Sequence, residues 1–124
     1  MNRHMTVTAT LAIALTCSGL AAAQNAVPVV AAKQLAKAYA DNKTAAVAKY
    51  GGKPILLKGT IGRINLNQFG TATMILDGDT MPYGFGLWLR EGQDARTVAV
   101  GQMITLRCEM PRDNDMAHDC VFVR

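Results

Sequence analysis

The first 23 residues decide how much of this chain is left to fold. They fall into three parts: a polar start with Arg3 and His4, an apolar run from Val7 to Leu15, and a small-residue stretch ending Ala21-Ala22-Ala23. This is the plan of a removable signal peptide. Cleavage after Ala23 satisfies the small-x-small rule through Ala21 and Ala23 and gives a mature start at Gln24. The apolar run is too short for a permanent bilayer span, and no other stretch reaches the roughly eighteen apolar residues that a spanning helix needs. The mature chain is therefore expected to carry no transmembrane segment and to be periplasmic or secreted. The alternative is lipid anchoring at Cys17. The residues before it, Ala14-Leu15-Thr16, depart from a lipobox because Thr16 stands where Gly, Ala or Ser is usual.

Removing the leader leaves about 100 residues, enough for one modest core and no second domain. It also removes Cys17, so Cys108 and Cys120 are the two cysteines that reach an oxidising compartment. A disulfide between them is the natural outcome. They flank a polar turn, Pro111 to His118, and the bond would staple a terminal hairpin. The mature chain carries twelve Lys and Arg against nine Asp and Glu, a mild bias only. Lys33, Lys37, Lys43, Lys49 and Lys53 are spaced singly, which suits a solvated helix face better than a nucleic-acid stripe.

Residues 24–30 read as a linker containing Pro28, and residues 31–124 as the folded domain. Ala31 to Tyr50 is rich in Ala and Lys and reads as helix, with Leu35 and Tyr39 on one face. Asn42 is a good N-cap, so two short helices or one bent one are expected before Gly51-Gly52 stops them. From Lys53 the pattern turns to strands. The first runs from Ile55 to Ile64, with Gly59 and Gly62 permitting bends. The second is Thr71 to Leu76 and the third Tyr83 to Leu89, separated by the turn Asp77-Gly78-Asp79. A fourth alternates Ile104, Leu106 and Cys108 inward with Thr105, Arg107 and Glu109 outward, and the fifth is Cys120 to Val123. The fold class is mainly β: five strands, the first long and glycine-bent, suit a five-stranded OB-type barrel with an N-terminal helical segment.

Leu35, Tyr39, Asn42, Ala46, Tyr50, Gly52-Lys53, Gly59, Ile61 and Ile64, then Leu76, the Phe85 strand, Gly101-Gln102 and the Cys108 and Cys120 pair together resemble the tRNA-anticodon-binding-like OB-fold family. The resemblance covers about Ala31 to Arg124 and is most specific from Tyr50 to Ile64. It implies an OB barrel of the kind found in small bacterial secreted proteins and lipoproteins. The family name records kinship with tRNA-binding barrels and does not by itself imply tRNA binding in an exported chain. The long polar turn before Cys120 and the glycine-rich third strand depart from the family pattern.

Elimination narrows the chemistry. The mature chain has no serine and a single histidine, His118, so Ser-His and Cys-His nucleophilic mechanisms lack their parts. No phosphate loop or G-x-G-x-x-G turn is present. Asp113, Asp115, His118 and Asp119 lack the glycine and terminal glutamate of an EF-hand and read as a polar hairpin tip. No enzyme activity, metal or cofactor is expected.

Aromatic residues give the remaining clue. OB barrels bind ligands on the faces of their second and third strands, with rings to stack on. Phe69, Tyr83 and Trp88 fall in or beside that region and are the candidate ligand-binding residues. If Phe85, Leu87 and Leu89 are core, Trp88 lies outside with Gly84 and Gly86 beside it, forming a flat platform. The other reading packs Trp88 beneath the helix or a loop. The expected function is a noncatalytic exported binding module of the bacterial envelope, contacting an envelope protein, peptide or glycan. The alternative is a structural or protein-interaction domain with no small ligand. Nucleic acid ranks third, since export removes the usual substrate.

Overall fold

A computed structural model of the chain describes residues 26–67, 72–81, 83–113 and 115–123. The expected leader, with the expected cleavage point after Ala23 and with Cys17, lies outside the described residues, as does Phe69. A short strand β1 (Val29–Ala31) leads into helices α1 (Ala32–Asp41) and α2 (Lys43–Tyr50). Strands β2 (Pro54–Leu66), β3 (Ala72–Leu76), β4 (Phe85–Leu89), β5 (Met103–Glu109) and β6 (Ala117–Phe122) follow, with one 3-10 turn at Ala95–Thr97.

Strand β2 makes the barrel possible. It pairs antiparallel with β3 through its second half and with β5 through its first, and the order β2-β3-β4-β6-β5 returns to β2. This is a closed five-stranded barrel of OB type. Ile55, Leu57, Gly59 and Ile61 face inward at every second position, but beyond Gly62 the inward residue is Ile64. A register shift between Ile61 and Arg63 causes the change. One extra residue flips the side-chain parity and bends the strand, so the same chain can serve both sides of the barrel. A Cβ at Gly62 would stand 1.9 Å from the Gly78 carbonyl oxygen, so only glycine fits there.

The helical stretch divides where Asn42 was expected to cap. Its side-chain oxygen accepts a hydrogen bond from the Ala45 amide at 3.1 Å, which satisfies one orphan donor of α2. Past α2, Gly52 takes the left-handed conformation, at φ +71°. Leu35, Ala36 and Tyr39 of α1 are buried, and the Tyr39 and Phe85 rings lie 5.9 Å apart. Helix α1 thus covers the end of the barrel where β3 finishes and β4 begins. Its N-cap residue, Ala31, has no side-chain acceptor. The Asp77 carboxylate supplies one from across the fold, accepting from the Lys33 amide through Oδ2 and from the Thr60 amide through Oδ1, each at 2.9 Å.

The core runs continuously from α1 through every barrel strand and includes Leu35, Ile55, Leu57, Met74, Leu76, Phe85, Leu87 and Leu106. Cys108 and Cys120 are bonded inside it, with Cα atoms 4.1 Å apart, and both are essentially inaccessible. Among the described residues one buried polar side-chain atom is unmatched: the Tyr39 hydroxyl has no hydrogen-bond partner there.

Three sequence-based boundaries move. Val29 and Val30, read as linker, belong to β1, which pairs in parallel with Leu56 and Leu57. Strand β4 begins at Phe85, leaving Tyr83 in the preceding turn. Strand β6 begins at Ala117 instead of Cys120; Asp119 at φ 57° interrupts its alternation.

Candidate functional site

Closure of the barrel fixes which side chains of β2, β3 and β4 point outward, and the register lines them up in two rows. In one row Asn65 pairs with Thr73, and Thr73 with Trp88. In the other Arg63 pairs with Ile75, and Ile75 with Gly86. Opposed residues hold their Cβ atoms about 5 Å apart, so each row is a contiguous strip of surface. Phe85, Leu87 and Leu89 are buried, and the intervening Trp88 retains 41% of its accessible surface. The indole is therefore outside the barrel and open to solvent.

Its surroundings differ from the bare glycine platform expected from sequence. A Cβ at Gly86 would lie 3.0 Å from Met116 Cε and 3.1 Å from Met81 Sδ. The Gly86 amide also donates a hydrogen bond to that Met81 sulfur. At Gly84 a Cβ would meet Ile75 Cγ2 at 2.5 Å. The glycines thus admit neighbouring side chains over the strand and are not themselves the floor. Beside Trp88 lies a surface of thioether and branched aliphatic groups, adaptable in shape. Tyr83 is 80% exposed in the turn before β4 and belongs to neither row. Of the three residues singled out, Trp88 alone is placed on this face by the described structure.

Concavities elsewhere on the described surface compete with it. A groove of about 810 Å³ lies between residues 92–98 and strands β5 and β6, with Met103 and Phe122 in its wall. Several of its polar groups are engaged in holding the loop. Gln93 Oε1 accepts from the Phe122 amide, Asp94 is bound by Arg96, the Thr97 hydroxyl donates to the Asp94 carbonyl, and Gln102 Oε1 accepts from the Ala99 amide. Asn65 and Thr73, by contrast, are in no side-chain hydrogen bond among the described residues. A second concavity, about 60 Å³, lies under Met81 between α1 and the start of β4 and includes Tyr39 and Asp115. Burial, then the Asp115 carboxylate and then Tyr50, hold the Tyr39 hydroxyl above its ordinary range, so it stays protonated.

The polar hairpin residues do not act together. Asp119 is held by Arg90 at 2.8 Å, whereas Asp115 borders the cavity beside Tyr39. Among the described residues no three His, Cys, Asp or Glu side chains converge on a point, and no helix is long and apolar enough to cross a membrane.

The barrel is shared with a crystal structure from Klebsiella pneumoniae subsp. pneumoniae, described as that of a "putative nucleic acid-binding lipoprotein". The TM-score is 0.60 at 13% identity, over 86% of this chain and 97% of that one. At this identity the likeness concerns the fold. No curated protein matches the chain. The profile of the tRNA_anti-like family matches residues 5–124. That match takes in the two helices, the bulged β2 and all the remaining barrel strands, and the chain belongs to the tRNA_anti-like family.

Proposed function

We propose that this protein is a noncatalytic binding module of the bacterial envelope, exported from the cytoplasm, which takes a peptide or glycan on the outer face of β2, β3 and β4. The observation that carries the reading is the row Asn65–Thr73–Trp88: an exposed indole beside two polar side chains that make no side-chain hydrogen bond among the described residues. Exposed aromatic groups with adjacent hydrogen-bonding residues are a common means of recognition, because the ring supplies contact area at low entropic cost. The absence of serine from residues 24–124, with a single histidine there, supports a noncatalytic role. A purely structural role is less well supported, since a docking or scaffold residue would gain from burial of Trp88. The description of the Klebsiella protein favours nucleic acid as a second reading, but Arg63 is the one cation in the two rows.

Amide and indole chemical shifts of the full chain, recorded with neutral oligosaccharides, short peptides and an oligonucleotide, test the reading. The binding partner should move resonances of Asn65, Thr73 and Trp88 together. Trp88→Ala should weaken that binding about tenfold while lowering folding stability by less than about 1 kcal/mol. A stability loss of about 3 kcal/mol or more would identify the ring as core. Shifts confined to the groove at Met103 and Phe122 would move the site there.

A further inference from the structure

We infer that the concavity between α1 and the start of β4 is a site for a primary ammonium group on an unbranched stem, delivered as the lysine side chain of a peptide and held by the Tyr39 hydroxyl and the Asp115 carboxylate. The site lies off the Asn65–Thr73–Trp88 row, so it stands or falls separately from the binding-face reading above.

The floor is built by α1 and β4. Tyr39 keeps 7% of its accessible surface, and its hydroxyl has no hydrogen-bond partner among the described residues. A buried hydroxyl without a partner is a cost that phenylalanine, of the same shape, would avoid. The fold alone therefore gives no reason for the oxygen. Ala36 and Ala40, one turn apart on α1, line the space with only a methyl group each. At the rim, Ala40 and Met81 are exposed and Asp115 is half-buried, so the cavity opens to solvent.

Charge and size select the occupant. Asp115 forms no ion pair and no hydrogen bond among the described residues, and its charge acts on the Tyr39 hydroxyl, which stays protonated. A carboxylate repels anions, and a phenol accepts as well as donates. An ammonium can donate to both oxygens while lying against the Tyr39 and Phe85 rings that line the cavity. The volume is about 60 Å³, against the ~30 Å³ that one water takes up in the liquid. That admits a terminal methylene and ammonium and excludes the wider, planar guanidinium of arginine.

The rim also favours a peptide over a free amine. Met81 reaches over Gly86, where Met116 and the neighbouring Ile75 continue an apolar surface. Residues flanking a lysine would rest on that surface, whereas a small amine gains nothing from it.

The full chain is titrated by calorimetry and amide chemical shifts with end-blocked alanine pentapeptides carrying a central lysine, norleucine, acetyl-lysine or arginine, and with n-butylamine. The lysine peptide should bind saturably and move Gly84 and Phe85. The other three peptides should bind about tenfold more weakly or worse. Asp115→Asn should weaken the lysine peptide about tenfold or more, and Tyr39→Phe about threefold to tenfold, with a thermal midpoint equal to or above that of the parent. No binding of the lysine peptide, or equal binding of lysine and norleucine, overturns the inference. A lowered midpoint for Tyr39→Phe overturns it too, since the hydroxyl would then serve the fold through a buried water. Butylamine binding as tightly as the peptide overturns the peptide as the source of the ammonium. Shifts confined to Asn65, Thr73 and Trp88 would return binding to the outer face and leave this site empty of function.

Discussion

Asp77 sits at φ 60°, in the left-handed region that Asp, Asn and Gly tolerate best. It uses that conformation to turn both carboxylate oxygens back toward the chain, one to the Lys33 amide at the start of α1 and one to the Thr60 amide of β2. The cap that Ala31 cannot provide therefore comes from 44 positions away. Asp77→Ala removes both acceptors and keeps the unfavourable backbone, and is expected to cost about 2–3 kcal/mol in urea unfolding. Asp77→Asn, which tolerates the same φ and retains one acceptor, should cost about half as much. An alanine variant as stable as the parent would show that these hydrogen bonds merely replace water. Nothing in the sequence around Asp77-Gly78-Asp79 distinguishes it from an ordinary hairpin turn, because the donor it satisfies is remote. Asn42 was legible for the opposite reason, since its donor, Ala45, is three residues on.

Strands whose alternation is unbroken could be read directly: β5 places Ile104, Leu106 and Cys108 inward as its pattern requires, and β4 does the same with Phe85, Leu87 and Leu89. Strand β6 could not. It pairs in parallel with β4 and antiparallel with β5, with a register shift in each ladder. Asp119, at φ 57°, breaks the period so that Ala117 and Cys120 both face inward. β1 escaped notice because a three-residue parallel strand has too short a pattern to detect. The Arg90 guanidinium holds Asp119 with bonds of 2.8 and 3.0 Å, tying the end of β4 to the irregular turn of β6. That hydrogen bonding keeps the Asp119 carboxyl below its ordinary range against an opposing effect of desolvation, with lesser help from the charges of Arg90 and His118. The folded group is thus the stronger acid. What the pair contributes is complete above the usual aspartate range and disappears as pH falls through the depressed folded value. In a carboxyl carbon titration, Arg90→Gln should move the Asp119 midpoint upward. An unchanged midpoint would show that Arg90 and Asp119 are not paired in solution.

At the scale of the whole molecule, spacing and compartment together pointed to the Cys108–Cys120 bond, and the barrel brings the two sulfurs together in its interior. The chain from Gln24 onward, which lacks Cys17, should titrate no free thiol. Replacing both cysteines by alanine should remove about 3 kcal/mol of stability in the chain-entropy picture, lowering the thermal midpoint by about 10 °C or more. An unchanged midpoint would mean that the hydrogen-bonded ladders alone hold the barrel shut. The candidate face was half legible. Parity placed Trp88 outside, but Thr73 becomes its neighbour through the β3–β4 register and Asn65 joins the row only through the register beyond the Gly62 bulge, neither of which a single-strand pattern contains. Closure has a further consequence in time. Strand β2 meets β3 across a short loop, yet its first half must wait for β5, pairing residue 54 with residue 109. Loop closure over that span is the slow event for a chain dominated by non-local pairs. The barrel cannot form progressively from its N-terminus as the chain emerges. Until β5 and β6 arrive, β2 is a long apolar strand with one edge unsatisfied, and the interval before that meeting is when the chain is most exposed to mispairing.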